Sequence, residues 1–489
     1  MKRALATWMW ILVSALALGL CLAVSCGEDG TVGGTGEDPD LGDDDLGTGG
    51  LRGGPPGSGD DDDEPIEPDP GFFVGFSQGD GGADRVPQVA EIGANWFRAW
   101  IQWRQVEPEI ARPELTVEQV RADPGMVGDY IRTHDWSAPD ALLTACREHG
   151  IANVILVVGI GFDWVLPKWE GEAANPDRLG RQNYLGHLYL HVRAAVERYD
   201  GDGTDDAPGG LVVRFWEPEA ELNEAFLTAV LGWRGPAYEQ ALGSAWHDFE
   251  FLTDVIRLGN EAVREEDPGA ITVMPFHTDI HENFGRFFGY PPWTEAVSRW
   301  AEYVDVIGID AYPNYYRPLP IKGGLLYDRV LQAREISGDL PVMVIETGYP
   351  SGPTEVGFDE ILQAEYLDRA VESARAAGAA GYLHFTLCTG EQSMAVIAQE
   401  DIENLYRLGE FFEQGRVLEL LLFALGNLDY VRGHFSRVLQ SVETHWGQFR
   451  ADGTKKPSYD VLRQKVEAYP GEEGIERLRR PSRSVSESP

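Results

Sequence analysis

Four cysteines in 489 residues leave this chain little from which to build disulfides. Cys21 and Cys26 lie in or beside an N-terminal apolar run, so only Cys146 and Cys388 remain for the body. Two thiols make no disulfide framework, and both are expected to be free and buried. Basic residues are also scarce: 40 Lys and Arg stand against 80 Asp and Glu, a formal net charge of −40. Such a body repels nucleic acid and anionic membrane surfaces, whereas a neutral substrate is not disfavoured. No His/Cys cluster has zinc spacing, no Gly-rich phosphate loop follows a strand pattern, and no internal repeat is evident.

Long apolar runs are absent except at the start. Met1-Lys2-Arg3 precedes an apolar stretch over residues 4–24, which ends in Leu22-Ala-Val-Ser-Cys26. An acidic Gly-rich stretch follows, which suits cleavage better than a permanent anchor. Leu-Ala-Val-Ser-Cys is similar to the lipobox of bacterial lipoproteins. That resemblance implies a signal peptide over 1–25, lipid on Cys26, and a membrane-tethered, extracytoplasmic protein. Residues 27–70 carry 15 acids and one Arg among Gly, Pro and Thr. They hold too little apolar surface for a core, so 26–70 reads as a disordered tether. The stretch from Pro470, with Arg-Leu-Arg-Arg-Pro-Ser-Arg-Ser, reads as a frayed tail over 471–489.

The body, 71–470, alternates short apolar runs with longer amphipathic stretches. Strands are predicted at 72–76, 96–101, 153–158, 212–216, 271–276, 304–309, 342–345 and 381–387. Helical periodicity appears between most of them, as over 141–149, 184–199, 246–265 and 361–376. Eight such units predict a closed (β/α)8 TIM barrel. A helical insertion over about 391–442 follows strand eight, and the chain returns through Trp446-Gly-Gln-Phe449 to a last helix over 459–469.

In such a barrel, functional groups gather at the C-terminal ends of the strands. Those ends carry Arg98; Glu217, Glu219 and Glu221; His277 and Asp279; Asp310 and Tyr312; and Glu346. A carboxylate directly after Val-Met-Val-Ile is costly to bury without a partner, which points to function at Glu346. Two carboxyl groups flanking a glycosidic bond suffice to hydrolyse it with retention, and Glu221 with Glu346 forms such a pair. Asp200-Gly-Asp-Gly-Thr-Asp-Asp206 offers Asp200, Asp202, Asp205 and Asp206 as hard oxygen ligands for a structural Ca2+. Position 211 is Leu where a calcium loop would end in Glu, so a solvated acidic turn is the alternative.

Several segments together resemble the clan of retaining glycoside hydrolases built on (β/α)8 barrels, clan A, with families 5, 39, 42 and 53. They are Gly93-Ala-Asn-Trp-Phe-Arg98 with Trp103 and Glu107-Pro108; Asp135-Trp-Ser-Ala-Pro-Asp140 with His149-Gly-Ile151; Pro341-Val-Met-Val-Ile-Glu-Thr-Gly-Tyr349; and Asp452-Gly-Thr-Lys-Lys-Pro-Ser-Tyr459. The resemblance implies a carbohydrate substrate, no required cofactor, a monomer, and catalysis by Glu346 as nucleophile with Glu221 as acid/base. It further implies that Arg98 and Tyr312 hydrogen-bond Glu346, that His277 lines the site and orients Glu221, and that Asp310 binds a sugar hydroxyl or serves as a cap.

Two departures stand out. The clan's acid/base strand commonly reads Trp-x-x-x-Asn-Glu, and Ala220 occupies the Asn position; that Asn usually holds the sugar 2-hydroxyl. Asn223-Glu224 offers a rival register that lengthens strand four by three residues, while Glu217 and Glu219 read as loop or rim carboxylates. The clan also places a Trp on strand eight, where this chain has Leu383-His-Phe-Thr386, so that Phe385 or His384 serves as the floor or the floor is absent. Trp164, Trp169, Trp233 and Trp293 are candidate sugar-stacking residues in predicted loops. These departures motivate an alternative: a carbohydrate-binding or scaffold lipoprotein with a decayed site.

Overall fold

The computed structural model describes residues 71–78, 82–101, 103–110, 114–159, 176–226, 243–387, 397–427, 430, 435–471, 474 and 478. The signal segment, Cys26, the tether, Cys388, Trp164, Trp169, Trp233 and residues 479–489 lie outside these. Among the described residues no helix is long and apolar enough to cross a membrane.

Eight parallel strands close in sequence order into a barrel. They are β1 Phe73–Gln78, β2 Trp96–Trp100, β3 Asn153–Val157, β4 Phe215–Glu217, β5 Ile271–His277, β6 Val306–Ala311, β7 Val342–Thr347 and β8 Gly381–Phe385. Strands buried on both faces read as near-continuous apolar runs, which is why their positions are legible in sequence. The exception is β4, expected at 212–216. Val212 is exposed, and the strand comprises only Phe215, Trp216 and Glu217.

Alternation along the strands builds two cores. Phe73, Trp96, Ile155, Phe215, Val273, Val306, Met343, Ile345 and Leu383 fill the barrel interior. Phe72, Val74, Phe97, Leu156, Ile307, Val344 and Tyr382 face the surrounding helices. Phe73 stacks on Trp96 with ring centroids 3.8 Å apart. The interior is tight enough at Gly75 that a Cβ there would lie 2.3 Å from the Trp96 carbonyl oxygen. The barrel's N-terminal end is closed by the chain's own tail. Pro470 bridges Phe73, and Leu478 is fully buried in the interior cluster, so the folded unit continues past the expected boundary at 470.

The predicted helices appear as Ser137–Glu148, Arg181–Tyr199, Phe249–Glu266 and Glu360–Ala376, and the last helix is Pro457–Ala468. Cys146 is buried on the first of these, and burial pushes its thiol up to about 12. The insertion after β8 forms three helices, Gln399–Glu413, Val417–Gly426 and Phe435–Glu443. They share a small apolar cluster with Phe284, on the helix Glu282–Phe288 that follows β5. Arg317, in the segment after β6, pairs with Glu413, and Tyr315 donates to Glu443, so the insertion is tied to the barrel rim.

Candidate active site

The inward-facing residues at the C-terminal ends of β1, β2, β4, β6 and β7 are polar: Ser77, Arg98, Glu217, Asp310 and Glu346. Arg98 is fully buried and organises them. Its Nε and Nη2 donate to both oxygens of Glu217, at 2.7 and 2.5 Å. Its Nη1 donates to Ser77 Oγ at 3.0 Å and to Glu346 Oε1. Burial works against the guanidinium charge, but Glu217 and Glu346 more than offset it and hold the pKa well above the usual value. Ser77 Oγ donates in turn to Glu346 Oε1 at 3.1 Å, and the Tyr312 hydroxyl donates to Glu346 Oε2 at 2.6 Å. Glu346 is thus gripped by three donors from three different strand ends. Asp279 accepts from the Tyr312 backbone N–H, which fixes the tyrosine.

Glu217 is therefore not the rim carboxylate its place in the sequence suggested. It ends β4, points inward, and accepts from Arg98 with both oxygens, the geometry of a carboxylate; burial pushes its pKa up to about 7 against the pull of Arg98. Glu219 is likewise buried, and its Oε1 accepts from the Tyr184 hydroxyl at 3.3 Å. Ser77 was missed because a lone Ser at the end of an apolar strand carries no motif.

A local irregularity explains how Glu346 comes to face the site. Ile309 pairs with Val344 but Asp310 pairs with Glu346, so β7 holds one extra residue at Ile345. Simple alternation would send Ile345 and Glu346 to opposite faces. The bulge lets Ile345 fill the interior while Glu346 turns into the cleft, a common device beside active sites.

After β4 the chain turns abruptly. Glu221 has φ +48°, in the left-handed region, and opens a 3-10 turn over Leu222–Glu224. This turn keeps Glu221 buried beside the cluster: one oxygen each of Glu221, Asp310 and Glu346 lie within 4.8 Å of one another. Burial, with Glu224 and Glu346 nearby, pushes the Glu221 pKa up to about 8 despite the opposing pull of His277. The strand is not lengthened as the rival register required. Glu224 lies on the turn instead, with Oε2 2.9 Å from His277 Nδ1. Burial would strip His277 of its proton, but Glu224 and then Glu221 outweigh it and raise the pKa to about 10. Asn223 exchanges two hydrogen bonds with the His277 backbone, Nδ2 to O at 2.8 Å and N to Oδ1 at 3.1 Å. The literal Asn-Glu pair therefore braces β5.

Asp310 is fully buried, and neither carboxylate oxygen has a hydrogen-bond partner. Its carboxyl group is therefore not a cap; its backbone oxygen accepts from Thr278. Burial and then the neighbouring Glu346 hold its pKa well above the ordinary carboxyl value. On β8, Phe385 meets Tyr312 edge-on at 5.9 Å, whereas His384 faces outward, its Nε2 2.9 Å from Gln448 Nε2. The large aromatic missing from strand eight arrives from the return segment: Trp446 packs against Tyr312 at 5.1 Å and stacks on Tyr315 at 5.9 Å. Trp293 is buried at the start of the helix Trp293–Trp300, not in a loop. In the acidic turn, Asp200, Asp202 and Asp206 bring oxygens within 4.8 Å, but Asp205 is diverted to Arg132 at 2.9 Å.

No family profile matches the chain, and no curated protein matches it in sequence. Solved structures do resemble it. A hyperthermophilic β-glucosidase aligns over 80% of this chain and 99% of its own, with a TM-score of 0.50 at 12% identity. A β-glycosidase covers 82% of this chain and 98% of its own, with a TM-score of 0.47 at 15% identity. An exo-β-1,4-mannosidase from an Opitutaceae bacterium covers 83% of this chain, with a TM-score of 0.46 at 16% identity; the alignment spans only 60% of that enzyme. At 12% identity the likeness to the β-glucosidase shows the fold alone, in keeping with the closed barrel of eight parallel strands.

Proposed function

We propose that the chain is a retaining β-glycoside hydrolase, with Glu346 as nucleophile and Glu221 as acid/base. The observation that carries this reading is the approach of the two carboxyl groups, with oxygens within 4.8 Å. Retaining enzymes hold their carboxyl groups about 5–5.5 Å apart and inverting enzymes roughly 6.5–9.5 Å, and a nearest oxygen approach within 4.8 Å is compatible with the shorter separation. The groups are also differentiated. Glu346 accepts from Ser77, Arg98 and Tyr312, a set of donors that fixes its oxygens for attack on the anomeric carbon. Glu221 has no such donors, and its raised pKa keeps the proton that the leaving oxygen requires. After departure of the aglycone, Glu221 as carboxylate takes a proton from water, which attacks the glycosyl–Glu346 ester and regenerates both groups. His277, paired with Glu224, also brings a ring nitrogen within 4.8 Å of a Glu221 oxygen.

The test is hydrolysis of aryl β-glycosides and β-linked polysaccharides by the native protein, Glu346→Gln and Glu221→Gln. Turnover is expected to fall by about 10³-fold or more in the first. Azide is expected to rescue Glu221→Gln but not Glu224→Gln. Hydrolysis that survives both substitutions refutes the assignment; sugar binding without turnover by the native protein favours the scaffold alternative. The bacterial envelope location, through lipid on Cys26, is part of the same proposal, and Cys26→Ala is expected to abolish labelling by a radioactive fatty acid.

A further inference from the structure

Within the reading of the site as a glycosidase, the charges of the cleft constrain the sugar. Two cations face it. Arg98 is matched by Glu217 through two hydrogen bonds and shared with Glu346, and His277 is matched by Glu224. Asp310 pairs with neither, and one of its oxygens lies within 4.8 Å of an oxygen each of Glu221 and Glu346. Hydrogen bonding tells the same story. Both oxygens of Glu217 and both oxygens of Glu346 have donors, whereas neither oxygen of the fully buried Asp310 has any. A buried, unpartnered carboxyl group is expensive, and a group that supplies donors and positive charge relieves it.

We propose that the sugar bound at Glu346 is a 2-amino-2-deoxy sugar whose ammonium group is received by Asp310. With the anomeric carbon at Glu346, the substituent on the adjacent ring carbon lies closest to the nucleophile. One oxygen of Asp310 lies within 4.8 Å of an oxygen each of Glu346 and Glu221, so a substituent seated beside those two carboxyl groups lies next to it. A primary ammonium brings three N–H donors and no acceptor, which suits two empty carboxylate oxygens. A hydroxyl brings one donor and no charge, and the carboxylate of a uronic acid brings no donor at all. A divalent metal ion suits the same carboxyl group less well. It would compete for Glu346, whose oxygens are held by Ser77, Arg98 and Tyr312, and it would lie against the Arg98 charge.

The experiment compares 4-nitrophenyl β-D-glucosaminide, β-D-glucoside and β-D-glucuronide at about pH 6, where a sugar ammonium is charged. The native protein is expected to favour the glucosaminide over the glucoside in kcat/KM by at least about tenfold, with the glucuronide poorest. Asp310→Asn is expected to shrink that ratio by about tenfold, and Asp310→Glu to keep most of it. A native protein that hydrolyses the glucoside as well as the glucosaminide overturns the inference and leaves the glycosidase reading intact. Calorimetry with the β-1,4-linked glucosamine disaccharide and with cellobiose separates the two ideas. Tighter binding of the amine sugar that is lost in Asp310→Asn upholds the inference even if nothing is hydrolysed, and equal or absent binding overturns it. Binding of Ca2+, Mg2+ or Zn2+ that is lost in Asp310→Asn also overturns it, in favour of a metal.

Discussion

Glu221 should make the protein less stable as it makes it active. Its carboxyl is raised from an ordinary 4.5 to about 8, first by burial and then by Glu224 and Glu346. A group whose folded-state pKa lies above its unfolded value contributes stability that is fully present below the unfolded pKa. That stability is lost as pH rises through the folded one, because the unfolded chain releases the proton first. For Glu221 the window runs from about pH 4.5 to about pH 8. At ~1.4 kcal/mol per pH unit the full gap corresponds to about 5 kcal/mol. Coupling of Glu221 to its titratable neighbours moderates this, and about 2–4 kcal/mol is expected. Glu221→Gln removes the titration and keeps the shape. Urea unfolding of native protein and variant is therefore expected to diverge with pH. The variant gains relative stability from pH 5 to pH 9 by about 2–4 kcal/mol, while activity is lost throughout. A difference that stays flat across this range refutes the picture of Glu221 as a buried acid held neutral by its surroundings.

The same proton governs rate. In the proposed mechanism Glu221 donates its proton, so kcat/KM is expected to fall as pH rises through about 8, and a basic limb centred below about 6 contradicts the assignment. Tyr312→Phe deletes the 2.6 Å bond to Glu346 with little change in packing, so a loss of about 10–100-fold in kcat with under about 1 kcal/mol in urea stability is expected. An unchanged rate would remove Tyr312 from the site. Gly75→Ala forces a methyl group against the Trp96 carbonyl in the barrel interior and is expected to lower stability by about 1–3 kcal/mol in the same unfolding assay. A neutral result would mean that β1 and β2 separate more easily than the packing implies.

The barrel was legible because its strands are apolar on both faces: seven of the eight expected runs fall within a few residues of the strands they predict, and only β4 is displaced. Strand-end reading also found the polar ring, since Arg98, Asp310 and Glu346 follow directly on apolar stretches and have nowhere to point but the cleft. Pattern reading failed where the backbone leaves regular geometry or where a distant segment fills a local gap. Period-two alternation cannot reveal the extra residue at Ile345 that turns Glu346 inward. The missing strand-eight Trp hid the arrival of Trp446 from beyond a helical insertion, which only the folded chain brings beside Tyr312.

Strand four shows why a motif and its chemistry can part company. The sequence contains an intact Asn-Glu pair at Asn223-Glu224 and a defective one at Ala220-Glu221, and a literal reading prefers the intact pair. Extending the strand to reach it would carry Glu224 along the barrel axis, but the chain stops pairing at Glu217 and coils back through a left-handed Glu221. A non-glycine residue at φ +48° is uncommon and persists only where its surroundings hold it. Here the hold is supplied by Asn223, whose side chain locks onto the backbone of His277, and by His277 itself, paired with Glu224. The intact pair thus acts as the brace that lets the defective one enter the cleft. Ala220, buried and apolar beside it, offers no hydrogen bond from its side chain; in the proposed reading the second position of the sugar is met instead by Asp310, whose carboxyl oxygens have no partner among the described residues.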